Sequence, residues 1–79
     1  MRAYVLLKVK PAKSADLMSS LKHVDGVVEA SLIHGPYDCI AHIDAPDIHK
    51  VNDTVLNIRE ISGIQESMTC LVVQSWRRN

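Results

Sequence analysis

Apolar and polar residues alternate with two different periods along this chain, and the changes of period mark its elements. Ala3–Val9 places apolar side chains at every second position, which is typical of a β-strand, and Pro11 ends it. Ser14 is then expected to cap a helix that stops at Gly26. Its apolar residues recur at helical spacing: Leu17, Met18, Leu21 and Val24. Val27–His34 returns to strand character.

The second half of the chain repeats this order of elements. The apolar run Cys39–Ala45 alternates over its first five residues, which predicts a third strand. Pro46 suits the first turn of a second helix, with Asp44 or Asp47 available to cap it. The apolar stripe of that helix is Ile48, Val51, Val55 and Ile58. Ser67–Gln74 is the predicted last strand.

Two nine-residue segments show that the halves are related. Leu21–Glu29 and Ile58–Glu66 share the pattern apolar, basic, polar, apolar, polar, Gly, apolar, any residue, Glu. Between the halves, Gly35–Asp38 contains the Gly-Pro pair of a tight turn. The order βαβ–turn–βαβ predicts a ferredoxin-like α+β fold (βαββαβ), a four-stranded antiparallel sheet with both helices on one face.

The composition adds an expectation about assembly. The 79 residues suit one domain, 1–79, and the apolar 47% is mostly aliphatic, without any Phe. The sheet face turned away from the helices should carry large apolar groups among polar ones, namely Tyr4, Leu6, Lys8 and Ile40. Such a face usually marks an interface, so we expect two sheets to pack face to face across a twofold axis.

The charge pattern and the apolar runs argue against nucleic acids and membranes as binding partners. Nine basic residues balance nine acidic ones, and the only basic cluster is Arg77-Arg78, so direct nucleic-acid binding is disfavoured. No apolar run is long enough for a transmembrane helix, and the N-terminus lacks a signal-peptide pattern, so a cytoplasmic protein without membrane contact is expected. Cys39 and Cys70 lie in apolar strand runs and are predicted to be reduced core residues.

Metal, cofactor and nucleotide sites are not predicted. The four histidines, His23, His34, His42 and His49, do not have the spacing of a tetrahedral site, and no CxxC is present. They are interpreted as solvated or interface residues. No Gly-rich loop opens a helix, which argues against nucleotide phosphates.

Asp38 is the residue for which both a structural role in the turn and a ligand-binding role are considered. It follows Gly-Pro-Tyr and opens a strand, so its carboxylate can accept N–H bonds of the turn. It can equally accept the α-ammonium of a small ligand whose carboxylate meets backbone N–H groups. Ser67 and Thr69 are two apart and share one strand face, where they either serve the strand or line the same pocket.

A set of short segments in this order resembles the Lrp/AsnC family of feast/famine transcription regulators, specifically their C-terminal RAM (regulation of amino-acid metabolism) domain. The segments run from end to end: Ala3–Leu6 with Lys8-Val9, Val24–Glu29, Gly35–Asp38, Ile58–Ile64 and Ser67–Thr69. The resemblance implies a ferredoxin-like fold that pairs into a dimeric α+β barrel, with dimers assembling into octamers or decamers.

The resemblance also implies a ligand and its site. A free amino acid would bind between dimers against the G-x-Y-D loop and a T-x-T stretch, which here correspond to Gly35, Tyr37, Asp38, Ser67 and Thr69. Ser67 stands where the family usually has Thr. No helix-turn-helix domain precedes Met1, so we expect a stand-alone module that senses amino acids and meets full-length Lrp/AsnC-type regulators without binding DNA.

Two alternatives remain at this point. Dimeric α+β barrels include small monooxygenases and isomerases, in which His42 would face the interior. Since no paired acid/base group accompanies it, we expect that the protein is not an enzyme. The other alternative is an assembly module that binds no ligand.

Overall fold

Four strands and two helices make up the fold of the computed structural model, which describes all 79 residues. Their bounds in chain order are β1 Arg2–Val9, α1 Ser14–Leu21, β2 Val27–Leu32, β3 Cys39–Asp44, α2 Ile48–Arg59 and β4 Ile64–Leu71. The strand order is β2-β3-β1-β4, and every neighbouring pair is antiparallel. This arrangement confirms the predicted ferredoxin-like α+β fold.

The core lies between the helices and one face of the sheet. The central strands β1 and β3 supply its sheet side with the alternate residues Ala3, Val5, Leu7, Val9, Cys39, Ala41 and Ile43. The helices add Leu17, Leu21, Val51 and Ile58, while Met18, Val24, Ile48 and Val55 pack around them half-buried. Both predicted apolar stripes therefore face the core, and full burial of each such aliphatic side chain contributes about 1.5–3 kcal/mol.

The other sheet face, called the open face below, is not covered by a helix. The strand register places Tyr4 opposite His42 and Cys70, and Leu6 opposite Ile40 and Met68. Opposed residues of antiparallel strands share a face, so the predicted open-face residues are confirmed. Tyr4 is 37% exposed and Met68 47% exposed.

The repeated Gly segments form equivalent junctions before β2 and β4. Gly26 and Gly63 have φ of 98° and 96°, which side-chain-bearing residues rarely adopt. A Cβ on Gly26 would lie 2.6 Å from Thr54 Oγ1, and one on Gly63 would lie 2.6 Å from Lys13 Cβ. Each junction therefore needs glycine for its backbone angle and for its close approach to the opposite half of the chain.

Several predicted boundaries and one cap were wrong. Ser14 is the first residue of α1 rather than its cap, because a 3-10 turn over Pro11–Lys13 leads directly into the helix. Of the two predicted caps of α2, Asp44 and Asp47, the structure has Asp47, which accepts the Lys50 N–H at 2.9 Å. Pro46 therefore precedes the cap instead of lying in the first turn.

The strand ends also differ from the predicted ones. The last strand covers Ile64–Leu71 instead of Ser67–Gln74, because pairing with β1 begins immediately after the Gly63 junction. The second strand ends at Leu32, before His34. Cys70 is exposed, so its prediction as a core residue was wrong, whereas Cys39 is buried; both thiols are free.

Candidate functional site

The two ends of the sheet carry different groups. At the hairpin end, β1 finishes, the β2–β3 loop turns and β4 begins. At the tail end, β1 starts, β3 finishes and the C-terminal segment leaves β4. Because the strands are antiparallel neighbours, the Gly35–Asp38 loop and the C-terminal tail lie at opposite ends of the molecule.

Asp38 extends the sheet at the hairpin end through three hydrogen bonds. Its carboxylate Oδ2 accepts the Val9 N–H at 3.0 Å. Its own N–H donates to the Leu7 carbonyl at 2.9 Å, and its carbonyl accepts the Ile33 N–H at 2.9 Å. The structural role expected of a turn carboxylate is therefore present, yet the residue is exposed and its carboxylate remains open to a ligand.

A cleft of about 330 Å³ opens beside Asp38, between the β2–β3 loop and the start of α1. We call it the hairpin cleft, and its lining residues are Val9, Pro11, Ser14, Leu32, Ile33, His34 and Asp38. The walls are aliphatic, while Asp38, His34 and Ser14 supply polar groups. A concave site with apolar walls and few polar groups suits a small amphiphilic molecule.

The other predicted site residues do not line this cleft. Tyr37 is half-buried, and its hydroxyl lies 3.9 Å from Met68 Sδ, on the open face. Ser67 and Thr69 pair with Leu7 and Val5, whose side chains are in the core, so both point to the helix-covered side of β4.

Within one chain the structure therefore does not bring the five predicted residues together, and only Asp38 reaches the hairpin cleft. Gly35 lies in the loop, and nothing lies within 4 Å of the position that a Cβ would take there. The assignment of these residues to one ligand site stays a prediction.

Sequence reasoning missed most of the hairpin cleft. His34 had been interpreted as a solvated or interface histidine, and the aliphatic wall of Leu32 and Ile33 as ordinary strand. The predicted topology could have indicated these residues, because it brings the end of β1, the start of α1 and the hairpin loop together at one end of the sheet.

A second cleft, of about 520 Å³, lies at the tail end on the open face. We call it the tail cleft; Arg2, Tyr4, Glu29, His42, Ser75, Trp76 and Arg77 line it. The Tyr4 and His42 rings stack with centroids 4.9 Å apart and an interplanar angle of 23°. Tyr4 was predicted on the open face and His42 was considered for a barrel interior, but no sequence pattern predicted the structure of the C-terminal tail.

The remaining reactive side chains do not form a metal-binding cluster. No cluster of three His, Cys, Asp or Glu residues is arranged as metal ligands. Burial raises the pKa of the Cys39 thiol, with a smaller contribution of the same sign from the Asp38 charge, so the thiol stays protonated and weakly nucleophilic. Neither α1 nor α2 has the length and the apolar character of a membrane-spanning helix.

Sequence comparison relates this chain to one protein family and to two kinds of longer protein. Residues 2–79 match the family model described as the Lrp/AsnC ligand binding domain. The chain is 28% identical over 75 residues to the HTH-type transcriptional regulator FL11 of Pyrococcus abyssi, covering 95% of this chain and 50% of FL11. It is 27% identical over 84 residues to a homocitrate synthase of Sulfurisphaera tokodaii, covering 87% of this chain and 18% of that protein.

Solved structures share the fold at low sequence identity. A crystal structure from Thermus thermophilus superposes with a TM-score of 0.89 at 23% identity, covering 98% of both chains. A transcriptional regulator of Neisseria meningitidis, solved as a complex with L-methionine, gives 0.84 at 19% identity, covering 98% of this chain and 52% of that one. This chain thus spans about half the length of the regulators it matches.

Proposed function

We propose that this chain, which belongs to the Lrp/AsnC ligand-binding domain family, senses a free amino acid and acts through self-assembly in transcription control. Binding would favour one assembly state over another, which is regulation by differential affinity. The observation that carries the proposal is the pairing of an exposed carboxylate, Asp38, with an aliphatic cleft at the hairpin end.

The chemistry of the hairpin cleft fits an amino acid. The Asp38 carboxylate is a charge-assisted acceptor for an α-ammonium group. The neighbouring wall of Val9, Leu32 and Ile33 suits an apolar side chain, and about 330 Å³ is enough space for a small molecule. The regulator from Neisseria meningitidis is described in complex with L-methionine, which supports a ligand of this class.

The separation of the predicted site residues supports a site completed by a second copy. Ser67 and Thr69 lie on the opposite edge strand from the hairpin cleft. In a ring of copies, the β4 edge of one copy can approach the hairpin end of the next, which would place both hydroxyls near Asp38. We therefore propose that the amino acid binds between copies, in rings of dimers.

Dimers would form through the open face. Its middle carries Leu6, Ile40 and Met68 side by side across three strands, and Met68 is 47% exposed. Covering this aliphatic row by its counterpart in a second copy would close a dimeric α+β barrel. The balanced charge of the chain suits contact with regulator subunits better than contact with DNA.

We also propose that the protein does not catalyse a reaction. His42 faces the open side of the sheet, as a barrel enzyme would require, but its ring stacks on Tyr4 and no acid/base partner is bonded to it. The match to 18% of a homocitrate synthase transfers no catalytic role. A turnover that His42→Ala abolishes would contradict this proposal.

A thermal-shift screen against the twenty standard amino acids tests the proposal. A ligand at a hundred times its dissociation constant adds about 2.7 kcal/mol to the free energy of unfolding. For a domain of this size, that raises Tm by several degrees. We expect a selective rise for amino acids with apolar side chains. A flat response across all twenty would leave an assembly module without a ligand.

Two substitutions at Asp38 separate its structural role from its binding role. Asp38→Asn keeps a carbonyl oxygen for the Val9 N–H but removes the negative charge, whereas Asp38→Ala removes both. We expect Asp38→Asn to weaken amino-acid binding by about tenfold or more, measured by calorimetry, with little change in Tm. Unchanged affinity in both variants would remove Asp38 from the site.

A further inference from the structure

The two outer strands of the sheet, β2 and β4, have backbone groups without partners. In an antiparallel pair, residues that exchange hydrogen bonds alternate with residues that do not. The Ile33 N–H donates to the Asp38 carbonyl at 2.9 Å, which fixes this alternation along β2. The N–H and C=O groups of Ala30 and Leu32 therefore point away from β3, to the free edge of the sheet.

The free edge of β4 follows from the same alternation. The Val72 N–H donates to the Arg2 carbonyl at 3.0 Å, so every second residue of β4 turns its backbone groups outward. These residues are Ser67, Thr69 and Leu71. The run Ser67–Val73 contains no charged residue and no proline, which are the residues that normally protect an exposed edge strand. The edge of β4 is therefore suited to pairing with another strand.

An apolar groove of about 300 Å³ lies beside the β2 edge, between that strand and α1. Its apolar lining consists of Met18, Leu21, Val27, Val28 and Ala30. At the other edge of the sheet, Leu71 is 46% exposed, although it pairs with the core residue Ala3 and so points to the helix-covered side. One edge thus has an apolar groove, and the other has an exposed leucine on the same side of the sheet.

Strand direction makes the two edges complementary. β2 runs parallel to β1, since both are antiparallel to β3, whereas β4 is antiparallel to β1. β2 and β4 therefore run in opposite directions. A twofold axis along the strands keeps their directions and exchanges the two edges, so it places β2 of one copy beside β4 of the other as an antiparallel pair. Two sheets that face each other in this way meet at both edges.

The register of the sheet shows which residues meet. Across the four strands, Thr69 is in line with Ala30, and Ser67 is in line with Leu32. A twofold axis along the strands preserves these levels, so the partner's Thr69 lies opposite Ala30 and the partner's Ser67 opposite Leu32. All four residues present outward backbone groups, so hydrogen bonds can form between the strands. The partner's Leu71 then reaches the groove between β2 and α1.

We propose that β4 of one copy pairs with β2 of a second copy, whose groove between α1 and β2 receives Leu71. This inference rests on the proposed open-face dimer, because the strand pairing forms both margins of that dimer. Leu32 is also a wall of the hairpin cleft, so the pairing brings the hydroxyl of the partner's Ser67 to the cleft. Each hairpin cleft is then complete only in the dimer, and amino-acid binding stabilises the pairing.

The exposed free thiol of Cys70 makes the pairing measurable. Cys70 is in line with Glu29 across the sheet. The alternation makes them a non-bonded pair across the new edge, with Cα atoms about 4.5 Å apart, which is within disulfide distance. Glu29→Cys is oxidised with copper phenanthroline, without added amino acid, and analysed by nonreducing electrophoresis. We expect at least about tenfold more disulfide-linked dimer than in the wild type, because the pairing holds the two thiols together.

Four further variants locate the link. Cys70→Ser in the Glu29→Cys chain should abolish it, and Glu60→Cys, at an exposed position after α2, should not form it. Leu71→Asp in the Glu29→Cys chain should reduce the linked fraction by about tenfold, because it places a charge in the apolar groove. Leu56→Asp, at a residue of α2 that is also exposed, should leave the linked fraction unchanged.

Sedimentation of the same samples before oxidation separates the strand pairing from the dimer on which it rests. Dimers that do not become linked in Glu29→Cys would overturn the strand pairing and leave the open-face dimer in place. A monomeric wild type would overturn both. Equal linking in the wild type would also overturn the pairing, because the wild type has no thiol opposite Cys70. Linked dimers that bind no amino acid would support the pairing and contradict only the proposed sensing.

Discussion

The two ends of the sheet share a glycine junction of the same backbone conformation, but they have different functional side chains. At the hairpin end, the Gly63 carbonyl accepts the Lys10 N–H at 2.9 Å, just after β1 finishes. At the tail end, the Gly26 carbonyl accepts the Asp44 N–H at 3.0 Å, at the last residue of β3. In both, a glycine with positive φ places the next strand beside the end of a central one.

The two ends differ because the β2–β3 loop and the chain termini lie outside the repeated segments Leu21–Glu29 and Ile58–Glu66. The β2–β3 loop supplies the Asp38 carboxylate at one end, whereas the termini supply Arg2, Trp76 and Arg77 at the other. The repeated part thus provides the scaffold, and the non-repeated loop and tail provide the groups that can bind ligands. Recognition chemistry concentrates in such connecting segments because they are free of packing constraints.

The largest expected effect concerns the apolar middle of the open face, between the two ends of the sheet. Met68→Glu should place a charge in the apolar middle of the open face of each copy and dissociate the proposed dimer. Burying an unpaired charge costs several kcal/mol, so we expect roughly a thousandfold weaker association, seen as a fall in mass by sedimentation. Leu56→Glu is the control, because Leu56 is 57% exposed on α2. Dissociation by both variants, or by neither, would contradict an open-face dimer.

The next largest effect is a loss of stability on substitution of a junction glycine. It is compared with the same substitution in the β2–β3 loop. Gly26→Ala forces a side chain into positive φ and against Thr54, which should cost about 1–3 kcal/mol or more. Gly35→Ala should change stability by less than about 0.5 kcal/mol, because nothing lies within 4 Å of the added Cβ. Urea unfolding measures both. Equal losses would mean that the loop glycine is also under backbone constraint.

Thr54 at the tail end gives a smaller effect. It is fully buried, and its hydroxyl lies 2.8 Å from the Lys50 carbonyl and 3.2 Å from the Asp25 carbonyl, which joins α2 to the Gly26 junction. Thr54→Val keeps the shape and removes the hydroxyl, so we expect a loss of about 1 kcal/mol. An unchanged urea midpoint would show that the junction does not need this bond.

The smallest expected effect is a pH dependence of stability that comes from one ion pair at the tail end, between Asp25 and Lys50. The hydrogen bond and charge of Lys50, 2.7 Å away, hold the pKa of Asp25 below its usual 3.8, and Asp25 raises the pKa of Lys50 above 10.5. The contribution of Asp25 to stability is therefore complete above pH 3.8 and is lost as pH falls through its folded pKa. That of Lys50 is complete below pH 10.5 and is lost as pH rises through its folded pKa.

Asp25→Asn isolates this contribution. The difference in stability between the wild type and Asp25→Asn should be level between the two pKa values and should shrink beyond either one. It should also shrink in high salt, since the pair is at the surface. A difference that grows on acidification would contradict the assigned ion pair.

The order of elements was predictable because hydrophobic periodicity and glycine position act locally. The stripe Ile48/Val51/Val55/Ile58 can be identified from its spacing alone, and the sequence limits the cap of that helix to Asp44 or Asp47. The start of α1 was mispredicted because Lys10-Pro11 begins a 3-10 turn before Ser14. Local patterns do not reveal that the helix continues such a turn.

The site was less predictable because it depends on register and on non-local contacts. That Ser67 and Thr69 share a face follows from their spacing, but which face they share follows only from their pairing with Leu7 and Val5. The tail cleft had no sequence signal, since Arg2 and Arg77 meet only through the antiparallel pairing of β1 and β4.

Hydrogen–deuterium exchange can show whether an amino acid binds at the hairpin end. Exchange is measured with and without a saturating amino acid, starting with methionine. We predict slower exchange in peptides covering residues 9–14 and 33–40, and clearly less protection of the same peptides in Asp38→Asn. Protection confined to residues 72–79, or equal protection in Asp38→Asn, would contradict it.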